Sequence, residues 1–445
     1  MAQRTHGMRS ARCTALILLL VGACGGDDNG TGGGTAGASS GPGGSGGSST
    51  GAGGAAGVKD SSADQSTTQG DAGADAGNTA DASDAANAHD AADARELGPV
   101  SCSSLPDGGA DAGAMAVAPG TLAETGLYCD FAAKIISPTV RSFRPRFELW
   151  SDGADKSRWV QIPSGAKIDV SDPDHWVVPI GTRFWKEFRY LGKRVETRLI
   201  VRYGAGKSDF LYAAYRWNAE ETAAEFVPPE GKLDVAPIEQ GAEPLMHDIP
   251  SRAECINCHG KLSEAILGFS AIQLSHDFGG ETISTLLQSN VLVGADGGAP
   301  NVPSGGYHVP GDELDQKALG YLHANCGNCH TDQGPGATPK YRVRLLTTNT
   351  TVESTLVYQT AVNQLHTLVS VPPDAGVGPY RIQGHAADAS ELYLRTGSRA
   401  PAFQMPPVDT KIIDPEGRAI LKQWIDRLPP PPEGGTPDGG DAAAE

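Results

Sequence analysis

The chain has 445 residues and a formal net charge of −18 at pH 7, with 58 glycines, 31 prolines and 8 cysteines. Gly and Pro exceed their usual share, so part of the chain is expected to lie outside any folded domain. The acidic balance argues against a nucleic-acid partner, because neutralising phosphates needs clustered Lys and Arg. The cysteines are too few for a disulfide scaffold of this length.

Residues 1–23 have the pattern of an export signal. Three arginines precede the apolar run ALILLLV at 15–21, which is too short to span a bilayer as a helix. The following VGAC, which ends at Cys24, is similar to the bacterial lipoprotein box, whose cysteine becomes lipidated. The alternative is an ordinary signal peptide with an incidental cysteine. Gly25 rather than Asp follows, which favours the outer membrane. We therefore expect a lipid-anchored protein of the bacterial cell envelope, facing the periplasm or the cell surface.

Residues 24–98 are predicted to form a disordered tether, and residues 429–445 a disordered tail. The tether has no aromatic residue and almost no branched aliphatic one. It therefore cannot bury enough apolar surface to offset the entropy of ordering. About 70 such residues would have a root-mean-square reach on the order of 50 Å.

Residues 99–245 are predicted to form an antiparallel β-rich domain, sandwich-like or a barrel. Short runs such as RWVQIP and ETRLIVRY are aromatic or β-branched and are bounded by turn residues. We expect the aromatic residues to fill the core; the alternative is an exposed cluster that binds carbohydrate or a partner. Cys102 and Cys129 are expected to form a disulfide in an exported protein, with free buried thiols as the alternative.

Two motifs of the form C-x-x-C-H hold four further cysteines. The motif residues are Cys255, Cys258 and His259 in the first and Cys326, Cys329 and His330 in the second. Thioethers formed by two such cysteines fix a haem, and the adjacent histidine reaches the iron as its proximal ligand. The sequence therefore predicts two covalently attached haem c groups.

Zinc is the competing interpretation of the paired cysteines. The second pair of a zinc site usually follows after 15–20 residues, whereas residues 259–325 separate the two pairs here. Thiolates awaiting a metal are also disfavoured in an exported protein.

Met405 is the candidate sixth ligand of the second haem. It lies in PAFQMPPVD, where Pro406 and Pro407 stiffen the loop that carries the thioether. A methionine that only fills the core is the alternative. Ligation by His and Met raises the reduction potential of a haem.

Residues 306–428 are predicted to form a mainly α-helical domain like a class I cytochrome c. One helix over GDELDQKALGYLHAN leads into the second motif. Another is expected to begin with Asp414 as N-cap and Pro415 at its first position, and to stop at Pro429. We expect Gly320 to let the two helices approach closely, against Trp424.

The predicted first haem segment, residues 246–305, contains two candidate helices, SEAILGFSAIQLSHDF and ETISTLLQSNVL. We favour His323 as the distal ligand of this haem, since one helix serving both sites would bring the haems close together. The other candidates are Met246, His247, His276 and His308, and an open site is a further alternative.

Five stretches together resemble a family of little-characterised proteobacterial dihaem c-type cytochromes. They are LAETGLY (122–128), LWSDGADKSRWVQIPSGAKI (149–168), IPSRAECINCHG (249–260), YLHANCGNCH (321–330) and MPP (405–407). The resemblance covers about 120–428 and implies a β-rich domain of unknown role fused to a haem region. It also matches both attachment motifs and supports Met405 as a ligand. Family members often have plain signal peptides, so the tether and lipoprotein box are additions.

The leading functional prediction is a membrane-anchored cytochrome that passes single electrons between redox partner proteins of the envelope, without a catalytic side chain. One alternative is a haem enzyme with an open site that reduces peroxide or oxidises a substrate. Another is a haem-bearing module that docks on an envelope partner. The sequence makes no prediction of oligomeric state.

Overall fold

The computed structural model describes residues 116–260, 262, 265–336, 341–365, 378–401 and 403–433. All of them belong to one compact unit within residues 91–445. The predicted signal peptide and tether, the lipidation site Cys24, the disulfide candidate Cys102 and the tail beyond residue 433 lie outside the described residues.

The described residues contain twelve strands, which we number in chain order. They are β1 (Tyr128–Asp130), β2 (Ile135–Ile136), β3 (Arg141–Ser142), β4 (Asp155–Gln161), β5 (Ile168–Asp169), β6 (Arg183–Tyr190), β7 (Lys193–Arg202), β8 (Phe210–Trp217), β9 (Ala224–Val227), β10 (Lys232–Pro237), β11 (Met246–Ile249) and β12 (Leu292–Val293).

A six-stranded antiparallel sheet in the order β3-β4-β6-β7-β8-β9 dominates this part of the chain. The β6–β7 hairpin turns at Leu191 and Gly192, whose φ values of 50° and 77° are those of the primed turns that suit strand twist. Strands β1 and β2 form a small antiparallel pair, as do β10 and β11, while β12 pairs with β5 in parallel. The prediction of an antiparallel β-rich region is therefore confirmed.

The two faces of the sheet pack against different partners, because successive side chains of a strand alternate. Trp185 and Leu199 on one face pack with the N-terminal segment around Leu122. Phe184 and Tyr212 on the other face share a core with residues from the 265–292 region. The described residues hold no second sheet of comparable size, so loops, a short helix (Ile283–Gln288) and the β5–β12 pair cover this face. The predicted boundary at 245/246 also falls between β10 and β11, which pair with each other.

Six α-helices follow or interrupt the strands in the described part of the chain. They are α1 (Arg252–His259), α2 (Ile283–Gln288), α3 (Glu313–Asn325), α4 (Leu356–Ala361), α5 (Glu391–Thr396) and α6 (Pro415–Arg427). Helix α6 begins as predicted, with the Asp414 carboxylate accepting a hydrogen bond from the Gly417 amide and Pro415 in the first turn. Helices α3 and α6 pack together around a core that includes Leu319, Leu322 and Trp424. None of the helices described is long and apolar enough to cross a membrane.

Two details of the helical region differ from the prediction. SEAILGFSAIQLSHDF does not form a continuous helix in its described residues, because Ala265 and Gly268 adopt positive φ values of 53° and 80°. Gly320 makes room for the Phe147 ring rather than for Trp424, since a Cβ there would overlap that ring. The glycine that permits the close approach of α3 and α6 is Gly417, where a Cβ would overlap the ring of Tyr321.

Candidate functional site

Both C-x-x-C-H motifs line a single cavity of about 310 Å³. The apolar face of the sheet supplies one part of its wall, through side chains such as Phe184, Ile200 and Tyr212. The motif residues supply another part, and the loop of Met405 a third. Segments that are 71 residues apart, as measured from Cys258 to Cys329, therefore meet at one site.

The first motif lies on α1, which places His259 as the last residue of the helix. Ser251 caps the helix by accepting a hydrogen bond from the Glu254 amide, and Glu254 bonds back to Ser251. His259 Nδ1 donates to the backbone oxygen of Ala265 at 2.8 Å, so the lone pair of the neutral ring is on Nε2. Burial lowers the pKa of His259 to about 4 and keeps the ring neutral. This is the state and orientation of a metal-ligating histidine.

The second motif follows α3 directly, with Cys326 at the C-cap and the His330 amide bonded to the Cys326 oxygen at 2.9 Å. The His330 ring lies against Tyr341, with centroids 4.6 Å apart. Its Nδ1 is buried without a hydrogen-bond partner among the described residues. Burial lowers the pKa of His330 to about 4, so this ring is neutral as well. A Cβ on Gly336 would lie 2.5 Å from Nδ1, which shows how closely the backbone encloses the ring.

The second cysteines of the two motifs are in near contact, with the Sγ atoms of Cys258 and Cys329 3.6 Å apart. All four motif cysteines are free thiols. Burial raises the pKa of Cys326 to about 12, which keeps this sulfur protonated. Within the described ranges no three or more His, Cys, Asp or Glu side chains are grouped to hold a metal ion, and a structural zinc site needs four such ligands.

Met405 lines the same cavity, on a loop held by several polar contacts. Its amide donates to the Arg395 oxygen at 3.1 Å. Farther along the loop, Asp409 pairs with Arg198 of β7 at 2.8 Å, and the Ile412 amide donates to Asp152 at 2.7 Å. The loop is therefore fixed to the sheet and to the segment that follows Trp150.

The LWSDGA segment (149–154) contacts both the helix that precedes the second motif and the methionine loop. The Trp150 amide donates to the Asn325 side chain at 2.7 Å, which ties the segment to the last residue of α3. The Trp150 indole donates to the Ile412 oxygen at 3.0 Å, on the methionine loop. These contacts of Trp150, and the bond that Asp152 accepts from the Ile412 amide, give both side chains a structural role.

Of the candidate distal ligands for the first haem, His323 alone lines the cavity. Its Nδ1 accepts a hydrogen bond from the Leu345 amide at 3.1 Å, so in the neutral ring the proton is on Nε2. That tautomer has no free Nε2 lone pair for a metal, which weighs against His323 as a ligand in this conformation.

The other candidates have different surroundings. His247 Nε2 is 2.9 Å from Glu196, and His276 Nε2 donates to the Arg144 oxygen at 2.7 Å. His308 is exposed, and Met246 does not contribute to the cavity wall.

Cys129 is disulfide-bonded. Because Cys102 lies outside the described residues, the pairing of Cys102 with Cys129 stays a prediction.

Sequence reasoning missed three cations on the part of the cavity wall that the sheet forms, Arg158, Lys186 and Arg198. Each takes a position on the apolar face of its strand, next to residues such as Phe184 and Ile200. A charged residue at an inward position of an alternating strand is a signal that could have identified them.

Comparison of the chain with protein-family models, with curated proteins and with solved structures gave no match.

Proposed function

We propose that this protein is a dihaem c-type cytochrome that transfers single electrons in the bacterial cell envelope. The observation that carries the proposal is the convergence of both C-x-x-C-H motifs on one cavity, with two of their sulfurs 3.6 Å apart. Four thiols and two imidazoles at one apolar site are the groups that covalent attachment and proximal ligation of two haems require.

The contacts of His259 and His330 suit the role of proximal ligand. The bond from His259 Nδ1 to Ala265 fixes the ring plane and increases the basicity of Nε2. The ring of His330 is held by the enclosing backbone and by Tyr341. Haem c supplies the one-electron chemistry, and these side chains orient it and set its potential.

Met405 is the proposed sixth ligand of the haem attached at Cys326 and Cys329. Met405 lines the cavity, and contacts of its loop with Arg395 and Arg198 limit the movement of the loop. A preorganised thioether costs little entropy when it binds.

In this proposal the lipid at Cys24 anchors the protein to the outer membrane, and the tether lets the haem region reach redox partner proteins. No step of this function needs a side chain as general acid or base.

The proposal is tested by counting covalently bound haem in the purified full chain through its pyridine haemochrome spectrum. The wild type is expected to carry two haems per chain. The double variants C255A/C258A and C326A/C329A are each expected to carry one, and each serves as the control for the other. A wild-type protein without covalent haem, or with zinc bound to the thiols, would overturn the proposal.

The alternative of a haem enzyme is favoured by one observation, the hydrogen bond from Leu345 to His323 Nδ1. If His323 keeps this bond, the first haem has an exchangeable sixth position. Cyanide or peroxide would then change the spectrum of one ferric haem. Spectra that do not respond to either reagent contradict this alternative.

A further inference from the structure

Three basic side chains form a row across three neighbouring strands of the main sheet. Arg158 of β4 is directly opposite Lys186 of β6, and Lys186 is directly opposite Arg198 of β7. Residues that face each other across an antiparallel sheet share one face. All three side chains line the same cavity as the two motifs. We call them the cationic row.

Like charges in directly opposite positions repel each other and destabilise a sheet. Such a row is expected only where negative charge compensates it. Arg198 is fully compensated, because Glu196 lies 2.6 Å from its Nε and Asp409 lies 2.8 Å from Nη2.

The other two members of the row are compensated less completely within the described residues. Arg158 is only 6% exposed, its nearest carboxylate is that of Glu148 at 3.7 Å, and its Nη1 is buried without a hydrogen-bond partner. Lys186 forms no ion pair and no hydrogen bond there. Its ammonium lies 4.5 Å from the centre of the Phe188 ring.

Burying a polar atom of a charged group without a partner costs several kcal/mol in other proteins, so the unpartnered Nη1 of Arg158 and the Lys186 side chain, which has no ion pair among the described residues, indicate a missing anion beside this cavity. The cavity is otherwise largely apolar at this face, where Phe184, Ile200 and Tyr212 lie. Planar carboxylates are the natural partners, because a guanidinium binds them through two parallel hydrogen bonds.

We propose that Arg158 and Lys186 form a carboxylate-binding site, and that the carboxylates are the two propionates of one haem. The proposal rests on the proposed function. Haem c is attached to the chain through its vinyl groups and carries two propionates on another edge. One haem would therefore bring two carboxylates to the cavity that Arg158 and Lys186 line. A free carboxylate that diffuses into the cavity is the other source of the same chemistry.

The test measures the midpoint potentials of both haems in the purified full chain by spectroelectrochemistry. Lys186→Gln removes one cation and should lower the potential of one haem, because a nearby positive charge favours the reduced form. We expect a change of about tenfold in the one-electron equilibrium, which corresponds to about 59 mV. Arg158→Gln should lower the potential of the same haem. Lys186→Arg should retain the wild-type potential.

Lys193→Gln is the matched control, since it is the same change on the neighbouring strand at a side chain that is 66% exposed. It should leave both potentials unchanged. Potentials that are equal in Lys186→Gln and in this control would overturn the proposal. If Lys186→Gln does not fold, Arg158→Gln gives the same comparison.

Sodium acetate at millimolar concentration distinguishes the two sources of carboxylate. Propionates already hold the site if acetate leaves the wild-type potentials unchanged. A shift that occurs in the wild type and is lost in Lys186→Gln would show that a free carboxylate binds there, which overturns the assignment to propionates. The haem count separates this from failure of the proposed function, in which the wild type carries no haem at all.

Discussion

His259 and His330 have similar burial but different partners at Nδ1. A backbone oxygen accepts the Nδ1 proton of His259 at 2.8 Å, whereas Nδ1 of His330 has no partner among the described residues. A hydrogen bond at Nδ1 makes the ring a stronger electron donor through Nε2. As proximal ligands the two rings would therefore give their haems different reduction potentials, with the lower one at His259.

Replacing Met405 by Ala should abolish the charge-transfer band between methionine sulfur and ferric haem, because the thioether is removed while the loop keeps its contacts through Asp409 and Ile412. The potential of that haem should fall, since His/Met ligation raises it. Both haems should remain attached. Absorption spectra of the ferric protein test this, with Met246→Ala as the control. Survival of the band in Met405→Ala would show that the ligand is another residue.

Glu196 makes stability depend on pH. Its carboxylate is fully buried, and although burial opposes ionisation, Arg198 and His247 hold its pKa at about 2, below the ordinary value of 4.5. Since the folded-state pKa is the lower one, the stabilisation is present above about pH 4.5 and is lost as pH falls towards 2. It amounts to on the order of 3 kcal/mol.

Denaturant unfolding at a series of pH values tests this effect of Glu196. Glu196→Gln should be less stable at neutral pH and should show a weaker fall in unfolding free energy between pH 4.5 and 2. Equal slopes in the variant and the wild type would show that other carboxylates cause the acid sensitivity.

At the scale of the elements, α3 and α6 depend on one close approach. Gly417 is in the first turn of α6, and a Cβ there would overlap the ring of Tyr321 on α3. The Trp424 indole also donates to Asp315 at 3.0 Å, which joins the two helices through a polar contact. These two contacts with α6 fix the position of α3, the helix that leads into the second motif.

Gly417→Ala should lower the unfolding free energy by about 1–3 kcal/mol, the usual cost of overpacking. Helix propensity alone predicts the opposite sign, because Ala is favoured over Gly in a helix. The matched control is Gly241→Ala, since a Cβ at Gly241 would have no neighbour within 4 Å. Urea unfolding compares the two variants. A stabilised Gly417→Ala protein would contradict the close packing of Tyr321 on Gly417.

At the scale of the whole molecule, sequence patterns predicted the strands and helix ends that depend on residues close together in the chain. Alternating β-branched and aromatic residues predicted the antiparallel strands, and Asp414 with Pro415 predicted the start of α6. Contacts between distant segments were not predictable in this way. The packing of residues 265–292 on the sheet, the link from Trp150 to Asn325 and the cationic row all depend on which strands become neighbours.

In the candidate site too, the sequence predicted local features but not the contacts between distant segments. The spacing of the motifs predicts four attachment cysteines and two proximal histidines, but not that Cys258 and Cys329 approach to 3.6 Å. For His323 the sequence indicated a favourable position on α3, whereas the bond from the Leu345 amide that fixes its tautomer comes from a segment outside this helix.

The central claim is that two haems are attached side by side at one cavity, and EPR spectroscopy of the fully oxidised protein tests it most directly. Two ferric haems attached through sulfurs 3.6 Å apart should couple magnetically. The EPR signals of the wild type should therefore be broader than those of the variants C255A/C258A and C326A/C329A, which each carry one haem. Two sharp signals in the wild type, equal to the sum of the two variants, would contradict attachment of both haems at one cavity. The absence of any haem signal would contradict the account as a whole.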